Sequence, residues 1–319
     1  MLRALGVGDL LTAVPALRAL AQAFPRHERV LAAPAALGPL VGLVDANGGG
    51  PAVHRLVHAG ELEPLPSEVH GPQVAVNLHG RGPESHKVLL RARPGRTLWF
   101  ESPEVPESRG APRWRPGEHE VLRWCRMLAE HGVPSNPARL ELSPPAGLPP
   151  PGSEGATLLH PGAASPARRW PPERFAEVAR SEAERGRPVV VTGGAEEVAR
   201  AALVARQAGL PRGSVLAGRT DLADLARVVA AAGRVVSGDT GVAHLATALG
   251  TPSVVLFGPT SPSEWGPPAE RSWHRALWAA RSGDPHGLRP DDGLLAIQPA
   301  DVLRALDELP ARSPVAPAV

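Results

Sequence analysis

Cysteine is almost absent from this sequence. The 319 residues include one cysteine, Cys125, which excludes an intrachain disulfide framework and fits a reducing compartment. Its setting between Trp124 and Arg126 indicates the interior of a helix. We therefore do not expect cysteine chemistry to carry the function.

Long apolar runs are missing as well. The chain has no stretch of about 18 apolar residues, and its first residues lead directly into a short strand-like segment at 2–5. The charged start and long apolar core of a signal peptide do not occur there. We expect a soluble cytoplasmic protein, and peripheral contact with the inner face of the membrane stays open.

Lysine is nearly absent, and charge of one sign is nowhere concentrated. Lys87 is the one lysine among 34 basic residues, and 32 acidic residues leave a formal net charge of +2. The two signs alternate without a block of like charges or a basic stripe flanked by aromatic residues, which argues against nucleic-acid binding.

Several catalytic motifs are also missing. The sequence lacks Asp-x-Asp for a metal-bridged nucleotide, cysteines and histidines at zinc spacing, Gly-x-Ser-x-Gly, and a Walker-type Gly-Lys-Ser/Thr. We therefore expect neither a bound metal nor a nucleophilic triad.

The sequence does contain two series of short apolar runs that alternate with amphipathic stretches. This alternation is typical of parallel strands joined by crossover helices, and the length allows two domains. Residues 144–154 are too rich in proline and glycine for a helix or a central strand, so we predict that they form the linker between the two domains. We predict an α/β protein in which Rossmann-like domains at 1–143 and 155–309, each with a parallel sheet, face each other across a cleft. Residues 310–319 are predicted to be a disordered tail.

The apolar runs predict individual elements. Strands are expected at 2–5, 30–33, 52–57, 74–78, 97–100, 156–160, 188–192, 234–237 and 253–257, with a short one near 215. In the second domain, helices are expected at 171–185, 195–208, 221–231 and 241–249. In the first helix, Thr12 as N-cap would put Pro15 in the first turn, where its missing N–H is no loss.

The strongest local signal is the segment Ser237-Gly238-Asp239-Thr240-Gly241, which follows an apolar strand and opens a helix of small residues. Unpaired N–H groups at a helix start, together with the positive end of the helix dipole, suit a phosphate. His244 follows one turn later. The alternative is that Asp239 or Thr240 merely caps the helix.

A second turn, which begins at His160 and Gly162 and ends at Arg168 and Arg169, also lies between a strand and a helix. Arginine offers planar, bidentate donors to a diphosphate. The alternative is a solvated arginine pair.

A third turn contains Gly193 and Gly194 after a buried strand. The glycines allow a nucleotide base or ribose to lie against the backbone, although tight turns from strand to helix need glycine anyway.

Near the N-terminus, Gly6-Val7-Gly8 resembles a truncated dinucleotide fingerprint, but the motif requires glycine where this chain has Leu11. Asp9 remains as a carboxylate at the carboxyl end of the first strand, where open α/β sheets build their sites. A helix cap is its alternative role. His79 and Arg81 follow another strand and are candidate acceptor contacts; a plain surface loop is the alternative.

Together these segments resemble glycosyltransferase family 9, the family of the ADP-heptose:lipopolysaccharide heptosyltransferases. The resemblance is carried by Gly8-Asp9-Leu10-Leu11 with Pro15-Ala16-Leu17, His160-Pro161-Gly162-Ala163 with Arg169-Trp170-Pro171, and Ser237-Gly238-Asp239-Thr240-Gly241-Val242-Ala243-His244-Leu245-Ala246 with Phe257-Gly258-Pro259-Thr260. It implies a GT-B fold and an inverting, metal-independent transfer of a sugar to a hydroxyl of a cell-envelope glycan or glycolipid. In the heptosyltransferases that exemplify the family, this sugar is heptose. The nucleotide-diphosphate sugar is then a co-substrate, ADP-linked in that example, and no cofactor is expected.

The resemblance also implies roles for residues. Asp9 is the general base, and Arg168 stabilises the leaving diphosphate where the heptosyltransferases usually carry lysine. The acceptor contacts would be His79 and Arg81 in the first domain. The donor contacts would lie in the second domain, at His160, Gly162, Arg169, Gly193, Gly194, Asp239, Thr240, Gly241 and His244.

Two departures and two alternatives accompany the resemblance. Besides Arg168, the stretch Gly162-Ala163-Ala164 lacks the hydroxyls that heptosyltransferases often have there, so ADP-heptose is not fixed as the donor.

A catalytically silent nucleotide-sugar-binding or scaffold protein would keep the Asp239 turn without needing Asp9. A GT-B nucleotide-sugar epimerase would need acids near the sugar, for which Asp239 and Glu264 are candidates.

Overall fold

The computed structural model describes residues 1–46 and 49–310. Contacts divide the chain into two compact units, of which unit 1 is Met1–Ser143 and unit 2 begins at Pro144. Each unit is built on a parallel sheet, as the predicted GT-B fold requires. The predicted tail at 310–319 lies, apart from its first residue, outside the described residues.

Unit 1 alternates short strands with helices. Its strands are β1 (Val30–Ala33), β2 (Arg55–His58), β3 (Val74–Val76) and β4 (Arg96–Leu98). Its helices are α1 (Val7–Thr12), α2 (Val14–Ala23), α3 (Gly38–Val41), α4 (Glu84–Arg91) and α5 (Glu120–Glu130), with short 3-10 turns at Ala35–Leu37, Ser67–Val69 and Pro106–Ser108.

The sheet of unit 1 reverses its strand order at Leu2. β1 pairs with β2 and β3 pairs with β4, all in parallel, and Leu2 bridges Ala32 of β1 and Asn77 just after β3. The order is therefore β2, β1, Leu2, β3, β4, and the predicted strand at 2–5 is reduced to this bridge. Since ligands of open α/β sheets bind where the strand order reverses, the segments after Leu2 and after β3 are expected to form a site.

The prediction that Thr12 is a helix N-cap is wrong. Thr12 is the last residue of α1, and α2 begins at Val14 with Ala13 as its N-cap. The helical structure starts as early as Val7 because the Asp9 carboxylate accepts the otherwise unpaired N–H of Gly6 at 3.2 Å. Pro15 does lie in the first turn of α2, as predicted.

Unit 2 repeats the alternation. Its strands are β5 (Thr157–His160), β6 (Val189–Val191), β7 (Arg234–Gly238), β8 (Ser253–Phe257) and β9 (His274–Trp278). Its helices are α6 (Pro172–Glu184), α7 (Val198–Ala208), α8 (Leu222–Ala231), α9 (Gly241–Ala248), α10 (Pro262–Trp265), α11 (Asp292–Ala296) and α12 (Pro299–Asp307), with 3-10 turns at Pro166–Arg168, Ala195–Glu197 and Arg212–Ser214. Throughout the described residues, no helix is long and apolar enough to cross a membrane.

The sheet of unit 2 is fully parallel, in the order β6, β5, β7, β8, β9. β6 and β8 are buried along their whole length, as expected for strands covered by helices on both faces. The order reverses between β5 and β7, so the turns that follow these strands meet at the carboxyl edge of the sheet. These are the turns that begin at His160 and Asp239.

Candidate active site

Asp9 lies in the first turn of α1, at the reversal point of unit 1. One carboxylate oxygen accepts the N–H of Gly6, and the other lies 3.3 Å from a guanidinium nitrogen of Arg3. The side chain keeps 28% of its surface exposed. Asp9 therefore does support the start of the helix, and it also offers a carboxylate to solvent.

Arg3 is the buried partner that holds Asp9. Its side chain is 1% exposed, and its Nε donates to the backbone carbonyl of Asp9 at 2.9 Å. Nη1 donates to the carbonyl of Leu78, at the end of the segment after β3. Nη2 lies within hydrogen-bond distance of both Asp9 and Glu120. The guanidinium thus connects the first turn of α1 to the segment after β3 and to α5.

Glu120 opens α5 and completes this ion cluster. Its Oε1 accepts from Arg3 at 3.0 Å and from the indole N–H of Trp124 at 2.9 Å, while Oε2 pairs with Arg123. The side chain is 6% exposed. Sequence reasoning missed both Arg3 and Glu120. The signal for Arg3 was a charge inside an otherwise apolar strand-like segment, whereas nothing local marked Glu120.

The environment makes Asp9 a stronger base than an ordinary aspartate. Burial raises the pKa of Asp9, the charge of Arg3 lowers it, and the charge of Glu120 raises it, with a net upward shift. A carboxylate with a raised pKa next to solvent at a sheet reversal is a candidate for proton transfer.

His79 lies close to the same cluster. Burial and the charge of Arg3 lower the pKa of His79 to about 4, so that its ring is neutral at neutral pH. Its Nδ1 is buried and has no hydrogen-bond partner among the described residues. Arg81, by contrast, is exposed, and no hydrogen bond joins it to this group in the part of the chain that the structure describes.

In unit 2, Thr240 is the N-cap of α9, but its side chain does not cap the helix. The hydroxyl Oγ1 is buried and finds no partner within the described ranges. Gly241 opens the helix, where amide hydrogens have no intrahelical acceptor. Asp239, which is 6% exposed, donates its own N–H to Leu256 at 3.2 Å. If Thr240 only capped the helix, its hydroxyl would accept a backbone N–H of α9, and no such hydrogen bond is present among the residues that the structure describes. The Thr240 hydroxyl is therefore not used within this turn.

Arg168 lies against that turn. Its Nη1 donates to the backbone carbonyl of Asp239 at 3.4 Å, and its Nε is buried without a partner in the described residues. The two turns approach closely because Gly238 has no side chain: a Cβ there would come within 3.0 Å of the Arg168 carbonyl. Arg168, Asp239 and Thr240 therefore form one polar group at the reversal point.

Arg169 is directed elsewhere. Its guanidinium folds back on its own turn, with Nε donating to the carbonyl of Ala163 at 2.8 Å and Nη2 to that of Ala164 at 3.3 Å. His244, in the second turn of α9, has its ring 5.9 Å from that of Trp265. Neither contact joins these residues to Arg168.

The remaining predicted donor residues surround a side chain that sequence reasoning did not select, that of Glu197. Its carboxylate accepts the N–H of Gly194 at 2.8 Å and lies 3.8 Å from Nε2 of His160. A Cβ on Gly162 would overlap that carboxylate, and one on Gly193 would also meet the Glu197 side chain. The signal in the sequence was the pair of acids, Glu196 and Glu197, that follows shortly after the diglycine.

Burial lowers the pKa of His160, although the charge of Glu197 opposes this. Its Nδ1 lies 3.0 Å from the hydroxyl of Thr192 at the end of β6. Across the described residues, no group of three or more histidine, cysteine, aspartate or glutamate side chains is arranged to hold a metal ion.

Comparisons with known proteins indicate the family of the chain. Residues 114–283 match the family model for glycosyltransferase family 9 (heptosyltransferase). The chain is 35% identical over 156 residues to lipopolysaccharide heptosyltransferase 2 of Escherichia coli K12, covering 45% of this chain and 43% of that protein. It is 41% identical over 117 residues to lipopolysaccharide heptosyltransferase 1 of Pseudomonas aeruginosa, covering 36% and 32%.

These curated relatives are matched over less than half of their length. The solved structure of E. coli heptosyltransferase WaaC with ADP superimposes over 96% of this chain and 98% of that chain, with a TM-score of 0.71 and 19% identity. The likeness extends the shared fold over both units, and the family model spans just over half of the sequence. The chain belongs to glycosyltransferase family 9.

Proposed function

We propose that this protein is an inverting glycosyltransferase that moves a sugar, heptose in the first instance, from a nucleotide-diphosphate donor to a hydroxyl of a cell-envelope glycolipid. The observation that carries the proposal is the Asp9 carboxylate, partly exposed, raised in pKa and held by buried Arg3. A protein that only bound nucleotide sugars would have no use for this base.

In the proposed step, the acceptor hydroxyl oxygen attacks the anomeric carbon while the bond from that carbon to the diphosphate oxygen breaks. Asp9 accepts the hydroxyl proton as the new bond forms, and the nucleoside diphosphate leaves. Burial assists this step because it raises the pKa of Asp9 towards the pKa of the acceptor hydroxyl group, whose proton Asp9 must accept. Displacement in one step inverts the anomeric configuration.

Unit 2 would hold the donor and stabilise the leaving group. The guanidinium of Arg168, the hydroxyl of Thr240 and the first amides of α9 are donors suited to diphosphate oxygens, and two of these side chains have buried polar atoms without partners in the described residues. Charge supplied in this way would make a metal ion unnecessary.

The nucleotide is proposed to be ADP-linked. The relatives are named heptosyltransferases, and the solved relative WaaC was determined with ADP. In this chain arginine at position 168 keeps the positive charge of the proposed phosphate contact but changes its shape, and Ala163 and Ala164 supply no hydroxyl. We therefore expect the phosphate contacts to depend on Arg168 and Thr240 more than on the turn at residues 163 and 164.

Unit 1 would hold the acceptor. The neutral ring of His79, with its buried unpartnered Nδ1, is suited to a hydrogen bond with a sugar hydroxyl. An acceptor of this class is lipid-linked, so the protein is expected to work in the cytoplasm, in peripheral contact with the inner membrane.

The experiment is a transfer assay with the purified chain, a truncated lipopolysaccharide acceptor, and ADP-, GDP-, UDP- and dTDP-sugars in parallel. Mass spectrometry reports the gain of one sugar on the acceptor, and NMR of the product reports its anomeric configuration. We expect transfer from ADP-heptose with inversion, without added metal and in the presence of a chelator.

A retained configuration, or a requirement for a divalent metal, would contradict the mechanism. Binding of a nucleotide sugar with no transfer and no epimerised sugar would support the scaffold alternative. Conversion of the donor sugar to its epimer would support an epimerase.

A further inference from the structure

A buried cluster of charged side chains, formed by Arg3, Glu120 and Arg123, lies behind Asp9. Arg3 and Arg123 are 1% and 8% exposed, and Glu120 is 6% exposed, so that three charged side chains lie almost completely out of water. Removing charges from water is costly unless they are paired, and here each has an opposite partner. Such a cluster needs a reason beyond stability, because well-packed apolar residues often stabilise a core equally well.

The cluster is a chain of alternating charges that ends at the proposed base. Arg123 pairs with Glu120, Glu120 pairs with Arg3 at 3.0 Å, and Arg3 pairs with Asp9 at 3.3 Å. Arg3 and Glu120 are 117 residues apart in sequence, so α5 is fixed to the start of α1 through this link. Two positive and two negative charges balance within it.

Each member is held by further contacts that limit its movement. The Arg3 guanidinium lies 4.9 Å above the ring of Trp124, whose N–H donates to the same Glu120 oxygen that Arg3 contacts. The Arg123 guanidinium lies 4.2 Å above the ring of Trp114. Only Asp9 reaches solvent to an appreciable degree.

We propose that Glu120 is a positioning residue for Asp9, which acts through Arg3 by fixing the guanidinium and dividing its positive charge between two carboxylates. Asp9 and Glu120 compete for the same nitrogen, Nη2 of Arg3, at 3.3 Å and 3.0 Å. Because Arg3 is shared with Glu120, it neutralises Asp9 only in part, and Asp9 remains basic. The inference rests on the proposed role of Asp9 as general base.

The groups that face Asp9 set the expected titration. Arg3 lowers the pKa of Asp9, Glu120 raises it, and the N–H of Gly6 lowers it. His79, beside Arg3, is neutral above about pH 4 and adds no charge there. Loss of the Glu120 charge therefore lowers the pKa of Asp9.

The test is a titration of Asp9 in the full chain without substrate, by NMR of protein labelled with carboxyl-13C aspartate. Asp9→Asn identifies the signal. In Glu120→Gln we expect the midpoint of Asp9 to fall by roughly 0.5 to 1.5 pH units, the range for one unit charge a few ångströms away in a protein of intermediate polarity. An unchanged midpoint would overturn the proposal.

Glu118→Gln is the matched control. Glu118 is also a partly buried acid, but it pairs with Arg126 rather than Arg3, so the same chemical change should leave the Asp9 midpoint in place. An equal shift in both variants would mean a general loss of negative charge and would contradict the proposal. If Glu120→Gln fails to fold, Glu120→Asp withdraws the carboxylate by one methylene and should shift the midpoint in the same direction by less.

Activity supplies a second readout. In Glu120→Gln, kcat should fall about 3- to 30-fold with the KM for the donor unchanged, because a weaker and less fixed base slows proton transfer. A rise in KM with unchanged kcat would contradict the positioning role. Since the titration needs no substrate, it reports on Glu120 even if no transfer activity is found, which would be a failure of the proposed function alone.

Discussion

Arg3 and Asp9 form an ion pair of 3.3 Å in which the cation is buried and the carboxylate keeps 28% of its side chain exposed. The ion pair would by itself lower the pKa of Asp9, but burial outweighs it and the pKa is raised. Asp9 is active as a base only when deprotonated. We therefore predict that kcat/KM falls on acidification with a midpoint above about 4, the ordinary value of aspartate, and a pH–rate profile measures it.

The same shift predicts how Asp9 affects stability. A carboxylate whose pKa is raised by folding holds its proton more tightly in the folded state, so its contribution to stability is greatest at low pH and is lost as pH rises through the folded pKa. Asp9→Asn should therefore unfold at or above the wild-type temperature at neutral pH. A clear drop in the unfolding temperature would mean that the ionised pair with Arg3 stabilises the fold.

Arg168 is expected to contribute to binding of the nucleoside diphosphate. Arg168→Gln should weaken that binding about 10- to 100-fold, the loss of one or two charged hydrogen bonds, and Arg168→Lys should recover part of it. Isothermal titration with ADP measures both. Arg304→Gln removes the same charge from a side chain of α12 that is 70% exposed and should have no effect; equal weakening in both variants would indicate an effect of net charge.

Thr240 provides a test that separates binding from stability. Its hydroxyl does not cap α9, so Thr240→Val should change the unfolding free energy by less than about 0.5 kcal/mol, whereas loss of a side-chain cap typically costs about 1 kcal/mol. ADP binding should weaken about 5- to 30-fold, for one lost hydrogen bond. In the same helix, the Thr247 hydroxyl donates to the carbonyl of Ala243, and Thr247→Val should leave ADP affinity unchanged.

Cys125 should be inert in the folded protein. Burial in α5 raises the pKa of its thiol to about 12, so the reactive thiolate is scarce at neutral pH. Iodoacetamide should label the protein only after unfolding in urea, with Cys125→Ala as the unlabelled control. Stoichiometric labelling under native conditions would show that α5 opens readily.

The strands were the most predictable elements. β1 and β8 have the bounds that the sequence predicts, because buried parallel strands are continuous apolar runs bounded by turn residues. The first strand was predicted too long, because its bridges to the neighbouring strands are made at Leu2 and the segment that carries Arg3 follows directly. Helix starts were less predictable: Thr12 is a preferred cap residue, yet the Asp9 contact with Gly6 had already started the helix.

The candidate site was predictable where it depends on turns and unpredictable where it depends on distant pairs. Arg168 and Thr240 come after β5 and β7, neighbouring strands whose carboxyl ends lie side by side, and Asp9 comes after the point where unit 1 reverses its strand order, so within each unit these positions follow from strand order. Glu120 reaches Arg3 across 117 residues, and no local pattern encodes that contact. The sequence shows that residue 197 is an acid, but the hydrogen bond that its carboxylate accepts from the N–H of Gly194 depends on the shape of the turn.

The most direct test of the account is the rate of sugar transfer by Asp9→Asn at saturating donor and acceptor, compared with the wild-type chain. Asparagine keeps the size of the side chain and cannot accept the proton, so we predict a loss of about 100- to 10,000-fold in kcat with ADP affinity unchanged. Transfer at the wild-type rate would contradict the assignment of Asp9 as the general base.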